Sequence, residues 1–337
     1  MRTGSVGGIN EIGVIPGRRL DVDPTGRYVT TVHSGTVSTY GAADLAPVAS
    51  HPVGRPQLVA THPGGATVAV LTADRSLELW SAGRRVATRP LGGTQGSAWL
   101  SFTAGGGHLL AGLAAPDDGS IRLDLLDAAT LDLVDTTGAL PGGYPGYDIG
   151  APPADWGEGV TPVAAPPPSD TVALAANAGD DPHVLAVVDV VDGRLCTYAT
   201  ATGAAFAAQV PGERIDGIAL DAAETLYVLD SDDTLTAFAW RDPDRPPRRV
   251  VSGHRFIDEV FGADSGREFA GPVFVVDNRL AVPVDGGPGM VLAFLDPASG
   301  HCTGRLDIPA PWSDGFIDNG LLWFTDGAAT HIAGWTA

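Results

Sequence analysis

Short apolar runs alternate with turn residues along the whole chain, and helical periodicity is nearly absent. Glycine or proline interrupts most stretches between these runs. This alternation is typical of an all-β protein. One unit recurs: a strand, a tight turn, a second strand, a turn containing Asp or Gly, and a third strand. The pattern therefore predicts a repeated β-sheet unit.

The spacing of the repeats predicts the architecture. The first apolar residue of each second strand serves as a register mark, and the seven marks are Val29, Val68, Leu109, Val184, Leu226, Leu280 and Leu322. When the count wraps from the last mark through the chain ends to the first, five of the seven spacings lie between 39 and 44 residues. A four-stranded propeller blade spans about 40–45 residues. The marks predict a seven-bladed β-propeller of four-stranded blades.

The two longer spacings predict insertions at about 141–170 and 252–268, within a single propeller domain covering residues 1–337. Six or eight blades stay open as alternatives, because Thr171–Ala178 could be the first or the second strand of the fourth blade. The last unit, from Trp312 to Ala337, is one strand short. We expect the N-terminal run Ile9–Ile15 to supply that strand, closing the last blade and covering two sheet edges.

Several segments resemble WD repeats. Asp117–Leu123 and Ser76–Trp80 are similar to the D-G-T-I-R-L-W strand, and Asp23–Val29 is similar to the P-D-G-R-Y-L turn. Thr202-Gly203 and Ser299-Gly300 resemble the hairpin that follows W-D in that family. YVTN-type propellers fit equally well. Trp-Asp is missing from every blade, so most of the WD structural tetrad is absent. The resemblance implies a seven-bladed ring with a binding or scaffold role.

Charge excludes several functions. The chain has 40 acidic residues, 20 arginines and no lysine, for a formal net charge of −20. Such a chain is a poor nucleic-acid binder, since phosphate affinity needs clustered cations. Without lysine there is no Schiff-base catalysis. We find no secretory signal and no apolar run long enough to span a membrane. We therefore expect a cytoplasmic, monomeric protein without membrane or nucleic-acid partners.

Both predicted insertions enter an innermost strand, so we expect them on one face, at the mouth of the central channel. The first is proline-rich and offers Tyr144, Tyr147 and Trp156 for stacking, unless these rings pack on neighbouring blades instead. The second contains apolar residues with helical spacing: Phe256, Ile257, Val260 and Phe261. It either caps a gap beside the sixth blade or contributes to a site.

Candidate acid–base residues are His254, Glu259 and Glu158, with Asp258 or Glu259 orienting His254. Further candidates come from the entries to the innermost strands and from the second insertion, and many are arginines that suit an anionic ligand. These ligand-binding candidates are Arg18, Arg55, Gln57, Gln95, Arg214, Asp216, Arg255, Trp312 and Asp314, with Arg19 beside Arg18. Salt bridges between neighbours, such as Arg214 with Asp216, are the alternative interpretation.

Acidic residues also recur in the turns between second and third strands, at Asp74, Asp117, Asp118, Asp192, Asp230, Asp232, Asp233, Asp285 and Asp326. They could ring a divalent cation. Hairpin turns favour Asp for backbone reasons, however, and we predict no metal and no cofactor.

Two function hypotheses follow. The first is a binding or scaffold propeller that recognises a small polar or anionic ligand, or a protein partner, on the channel-mouth face. The second is a metal-independent enzyme, such as a cyclase, an isomerase or a lactonase-like hydrolase, with the roofed channel as its active site.

Overall fold

β-strands make up most of the chain in the computed structural model, and one helix accompanies them among the described residues. The structure describes residues 9–335 apart from 92–97, 115–120, 137–159, 165–171, 179–180, 192–193, 202–214, 222–224, 240–241, 243–244, 264, 271–272, 277, 287–288, 310–315, 319–320 and 327–328.

The first strand in the chain, β1, covers Ile9–Pro16. Sheet one contains β2 (Arg18–Val22), β3 (Tyr28–His33), β4 (Thr36–Gly41) and β5 (Pro47–His51). Sheet two contains β6 (Pro56–Thr61), β7 (Thr67–Thr72), β8 (Ser76–Ser81) and β9 (Arg84–Pro90). Sheet three contains β10 (Ala98–Phe102), β11 (His108–Ala114), β12 (Ile121–Asp127) and β13 (Leu133–Thr136). Sheet four contains β14 (Val160–Ala164), β15 (Val172–Ala178), β16 (Asp181–Val191) and β17 (Arg194–Ala201).

Sheet five contains β18 (Ile215–Leu220), β19 (Thr225–Asp230), β20 (Thr234–Ala239) and β21 (Arg248–Ser252). Helix α1 (Gly253–Phe261) follows. Sheet six contains β22 (Glu268–Phe269), β23 (Phe274–Val276), β24 (Arg279–Asp285), β25 (Met290–Leu295) and β26 (Cys302–Ile308). Sheet seven contains β27 (Phe316–Asp318), β28 (Leu321–Asp326), β29 (Ala329–Trp335) and β1. Among the described strands, six sheets have four strands each, and sheet six has five because β22 and β23 both pair with β24.

Consecutive sheets pack against one another. The first strands of sheets one to five contact each other in chain order, which places them innermost. Apolar clusters join other neighbours: Leu229 with Val282 between sheets five and six, and Phe294 with Leu322 between sheets six and seven. Every described strand pairing is antiparallel. The predicted all-β propeller of four-stranded blades is confirmed.

The N-terminal strand closes the last sheet, as the sequence predicts. β1 pairs with β29 from Ile9 opposite Trp335 to Pro16 opposite Ala329, with one register shift between Glu11 and Gly13. Ile15 is buried among residues of sheets seven and one, including Trp323. The two ends of the described chain are therefore held in one sheet.

Burial follows strand position in sheet two. Its second and third strands are largely buried, and on β7 Val68, Ala69 and Val70 are fully enclosed. Outermost strands carry the exposed apolar side chains, such as Val48 on β5 and Val86 on β9. Strands covered on both faces read as continuous apolar runs, which explains why the repeat is visible in the sequence.

Sheet four differs from its register mark, and it confirms one of the two alternatives left open for Thr171–Ala178, namely the second strand. The register mark Val184 lies in β16, the third strand, whereas the second strand is Val172–Ala178. The innermost strand is Val160–Ala164, inside the range predicted as an insertion. Two features hide this arrangement in the sequence. β15 is rich in alanine, and β14 contains Pro162, which a first strand tolerates because one of its edges is unpaired in the sheet.

Many aspartates serve the turns. Asp23 accepts the backbone N–H of Tyr28 at 2.6 Å, and Asp127 accepts those of Ala129 and Thr130, both at 2.9 Å. Asp230 accepts the N–H of Thr234 at 2.9 Å within the turn between β19 and β20. These carboxylates satisfy donors that a turn leaves unpaired. At these positions, the structure supports the interpretation that aspartates occur in turns to accept backbone hydrogen bonds.

Candidate functional site

In an antiparallel sheet with strands in chain order, the loop that enters the first strand and the turn between the second and third strands lie at the same end of the strands. We call the side of the propeller that carries these connections the entry face. Helix α1 lies there, between β21 and β22. The described candidates on α1, and those where β2 and β6 begin, lie on this face as well.

Helix α1 confirms the predicted helical face. Phe256 and Ile257 are buried, and Val260 and Phe261 pack against the same cluster between sheets five and six. The rings of Phe256 and Phe269 are 5.3 Å apart. The helix ends at Gly262, whose φ of 96° favours glycine. The insertion is therefore anchored by its apolar face and presents its polar face outward.

The predicted acid–base residues on α1 are arranged differently from the expectation. Glu259 accepts a hydrogen bond from the Arg255 side chain at 2.9 Å, and both side chains are exposed. Exposed pairs of this i,i+4 type stabilise a helix by a few tenths of a kcal/mol, about 0.3–0.5. Glu259 therefore pairs with Arg255. His254, which is exposed, lies within electrostatic range of Asp233 on the β19–β20 turn.

Asp233 joins three elements of the entry face. Its carbonyl oxygen accepts the N–H of Gly253 at 2.6 Å, at the start of α1. Its carboxylate accepts the N–H of Phe269 at 3.1 Å, on β22. Its φ is 56°, and a Cβ on Gly253 would overlap it, so this close contact requires glycine at position 253. Asp233 is 9 % exposed.

The environment of Asp233 changes its protonation. Burial is the largest cause and raises its pKa to about 6. The hydrogen bond from Phe269 and the charge of His254 oppose this rise, while Glu268 and Asp216 add to it through like-charge repulsion. Asp233 therefore exchanges a proton close to neutral pH, which sets it apart from the turn aspartates with lowered pKa values, such as Asp127 and Asp296.

Two predicted ligand-binding arginines lie on the part of the entry face that sheets one and two build. Arg18 begins β2 and Arg55 immediately precedes β6, and these two innermost strands contact each other. Both side chains are exposed, as is that of Gln57. Among the described residues, neither guanidinium has an ion pair or a hydrogen bond. Arg85 and Arg122, in contrast, pair with Glu78 and Asp124.

Arg19, beside Arg18, is partly buried and lies 5.5 Å from the centre of the Trp323 ring. Two hydroxyl groups brace the backbone that leads into β2: Thr31 donates to the carbonyl of Pro16 at 2.8 Å and Thr330 donates to that of Gly17 at 2.7 Å. Arg18 thus follows a braced corner between sheets seven and one. A fixed backbone of this kind reduces the entropy lost when a side chain engages a ligand.

The other predicted site residues lie outside the described part of the chain: Gln95, Tyr144, Tyr147, Trp156, Glu158, Arg214, Trp312 and Asp314. Asp216 is described, on β18, where it is half-buried near Asp233. No group of three His, Cys, Asp or Glu side chains suited to a metal ion occurs among the described residues. Within the same residues, no helix is long and apolar enough to cross a membrane.

Sequence reasoning placed Asp233 among the turn aspartates and missed its contact with Phe269, 36 residues later in the chain. The run Asp230-Ser-Asp-Asp233 places three acidic residues in one short turn. That density of acidic residues is the signal that could have singled it out.

The crystal structure of BamB from Moraxella catarrhalis is similar in fold, with a TM-score of 0.50 and 16 % sequence identity over 93 % of this chain and 83 % of that one. No protein-family model matches the chain, and no curated protein matches its sequence. The comparison supports the propeller fold. Membership of the WD-repeat or YVTN family stays a prediction.

Proposed function

We propose that this protein is a binding propeller that recognises an anionic ligand on its entry face, through Arg18 and Arg55. The seven sheets would form the seven blades of one ring around that site. The observation that carries the proposal is the pair of exposed guanidiniums on adjoining innermost strands, without carboxylate partners among the described residues.

The excess of acidic residues over arginines supports this proposal. Acidic residues outnumber arginines two to one, so an exposed arginine has many potential partners close at hand. Two neighbouring ones that stay without an ion pair are available to a carboxylate or phosphate, which the guanidinium fork binds well. Gln57 is the second residue of β6 and is exposed, so its side-chain amide adds a neutral hydrogen-bond donor. The anion could belong to a small molecule or to a protein partner.

Calorimetric titration with inorganic phosphate and with citrate, at constant ionic strength, tests this site. Saturable binding is expected for the wild type. Arg18→Gln and Arg55→Gln should each weaken it by about tenfold, since a hydrogen bond to a charged group contributes about 1.5–3 kcal/mol. Arg84→Gln is the matched control, because Arg84 is also exposed but lies in the β8–β9 hairpin on the opposite face.

An equal loss of affinity in Arg84→Gln would show that the anion responds to net charge alone. The absence of saturable heat with either anion would count against these two classes of ligand.

A metal-independent enzyme is the second candidate, and Asp233 is the observation that favours it. A carboxyl group with a pKa of about 6 holds a proton near neutral pH and can donate it to a leaving group. If this hypothesis is right, a panel of lactones should include a substrate whose hydrolysis Asp233→Asn abolishes and Asp296→Asn leaves intact. Equal activity in both variants would exclude Asp233 as the proton donor.

A further inference from the structure

We propose that Asp233 is a pH-sensitive latch for helix α1, which holds the 253–262 segment closed more firmly at acidic pH. The inference does not depend on the proposed anion site, since Arg18 and Arg55 lie on sheets one and two. It concerns the part of the entry face that sheets five and six build.

The latch consists of contacts between three elements. The turn that carries Asp233 binds the first residue of α1 through the Gly253 N–H, and binds β22 through the Phe269 N–H. Gly253 lies so close to Asp233 that a side chain there would overlap it. The start of the helix and the strand after it are thus both held by one residue.

Every element around the carboxylate contributes charge. β18 contributes Asp216, α1 contributes His254 and β22 contributes Glu268. The turn itself contributes Asp230, whose carboxylate caps Asp232 and Thr234, and the exposed Asp232. Negative charges outnumber the one titratable cation in this group. An ionised Asp233 is therefore repelled by its neighbours as well as being poorly solvated.

The direction of the pH effect follows. When α1 undocks, Asp233 becomes solvated and its pKa falls from about 6 towards the ordinary value of 3.8. The closed state thus binds the proton more strongly, and its advantage is complete below the ordinary pKa and lost as pH rises through about 6. Each pKa unit corresponds to a tenfold change in the opening equilibrium.

Opening would have a visible consequence. Phe256 and Ile257 lie on the buried face of α1, and the Phe256 ring packs on Phe269. Undocking exposes this apolar surface on the entry face. A shift in pH would therefore change the chemistry of the face from polar and charged to partly apolar.

Limited proteolysis reads the latch directly. Because the chain has no lysine, trypsin cuts it after arginine, and Arg255 lies within α1. Cleavage there requires the helix to open. At pH 7.5, Asp233→Asn should slow cleavage at Arg255 by about tenfold or more, because Asn mimics the protonated acid, keeps an acceptor for Phe269 and tolerates a positive φ. The control is Asp296→Asn, in the β25–β26 hairpin on the opposite face, which should leave cleavage at Arg255 unchanged.

Hydrogen exchange on the wild type tests the same point without a variant. After correction for intrinsic exchange, amides 256–261 should be about tenfold better protected at pH 5 than at pH 7.5. His254→Gln should keep this response, which separates Asp233 from the neighbouring histidine. Equal protection at both pH values, a response lost in His254→Gln, or unchanged cleavage in folded Asp233→Asn would overturn the latch.

Discussion

Removal of residues 1–16 is expected to lower the free energy of unfolding by roughly 5 kcal/mol or more, because it takes the outer strand from sheet seven. Ile15 is 2 % exposed, and loss of one such side chain from a core costs about 2–5 kcal/mol. Ile9 and Ile12 also pack on neighbouring clusters. The deletion would further leave the β29 edge unpaired along its length. Urea unfolding followed by tryptophan fluorescence measures the effect.

Truncation of residues 1–8 is the matched control, since it leaves β1 intact. We expect its unfolding midpoint to stay close to that of the full chain. An unchanged midpoint in the longer truncation would contradict closure of the last sheet by β1.

Gly300→Ala is expected to destabilise the protein by roughly 2–5 kcal/mol. Gly300 has a φ of 70°, which disfavours alanine by about 1–2 kcal/mol. An added Cβ would also overlap the carbonyl oxygen of Val250 on β21. Steric overlap within a packed region costs about 1–3 kcal/mol. The residue therefore fixes how closely the β25–β26 hairpin approaches sheet five, and thermal unfolding by calorimetry would report the loss.

Gly54→Ala separates the two contributions. Gly54 has a comparable φ of 90°, yet a Cβ there would meet nothing within 4 Å. It should lose the conformational part alone, about 1–2 kcal/mol. Equal destabilisation in both variants would show that the close approach of sheets five and six does not depend on Gly300.

Much of the fold could be predicted from the repeat, since strands buried on both faces appear as apolar runs at a steady spacing. The β1–β29 pairing followed from the missing strand of the last unit. Sheet four was misread because Ala173, Ala175 and Ala176 carry too little apolar surface to mark a core strand. Pro162 added to this, as proline usually argues against a strand.

The candidate site was less visible. The positions of Arg18 and Arg55 follow from the repeat alone, since each lies where an innermost strand begins. The role of Asp233 depends on its contact with Phe269, and a contact between sheets five and six has no signature in local sequence. For Glu259, the i,i+4 spacing from Arg255 could have predicted the ion pair that the structure shows.

The position of a bound anion can be observed in a crystal and decides whether Arg18 and Arg55 form the binding site. Crystals soaked in selenate, a tetrahedral oxyanion with a strong anomalous signal, would show where the protein binds this chemistry. We expect the strongest anomalous peak beside Arg18 and Arg55 in the wild type, and its loss in Arg55→Gln. Peaks confined to other arginines, such as Arg84 on the opposite face, would show that Arg18 and Arg55 do not form the anion site.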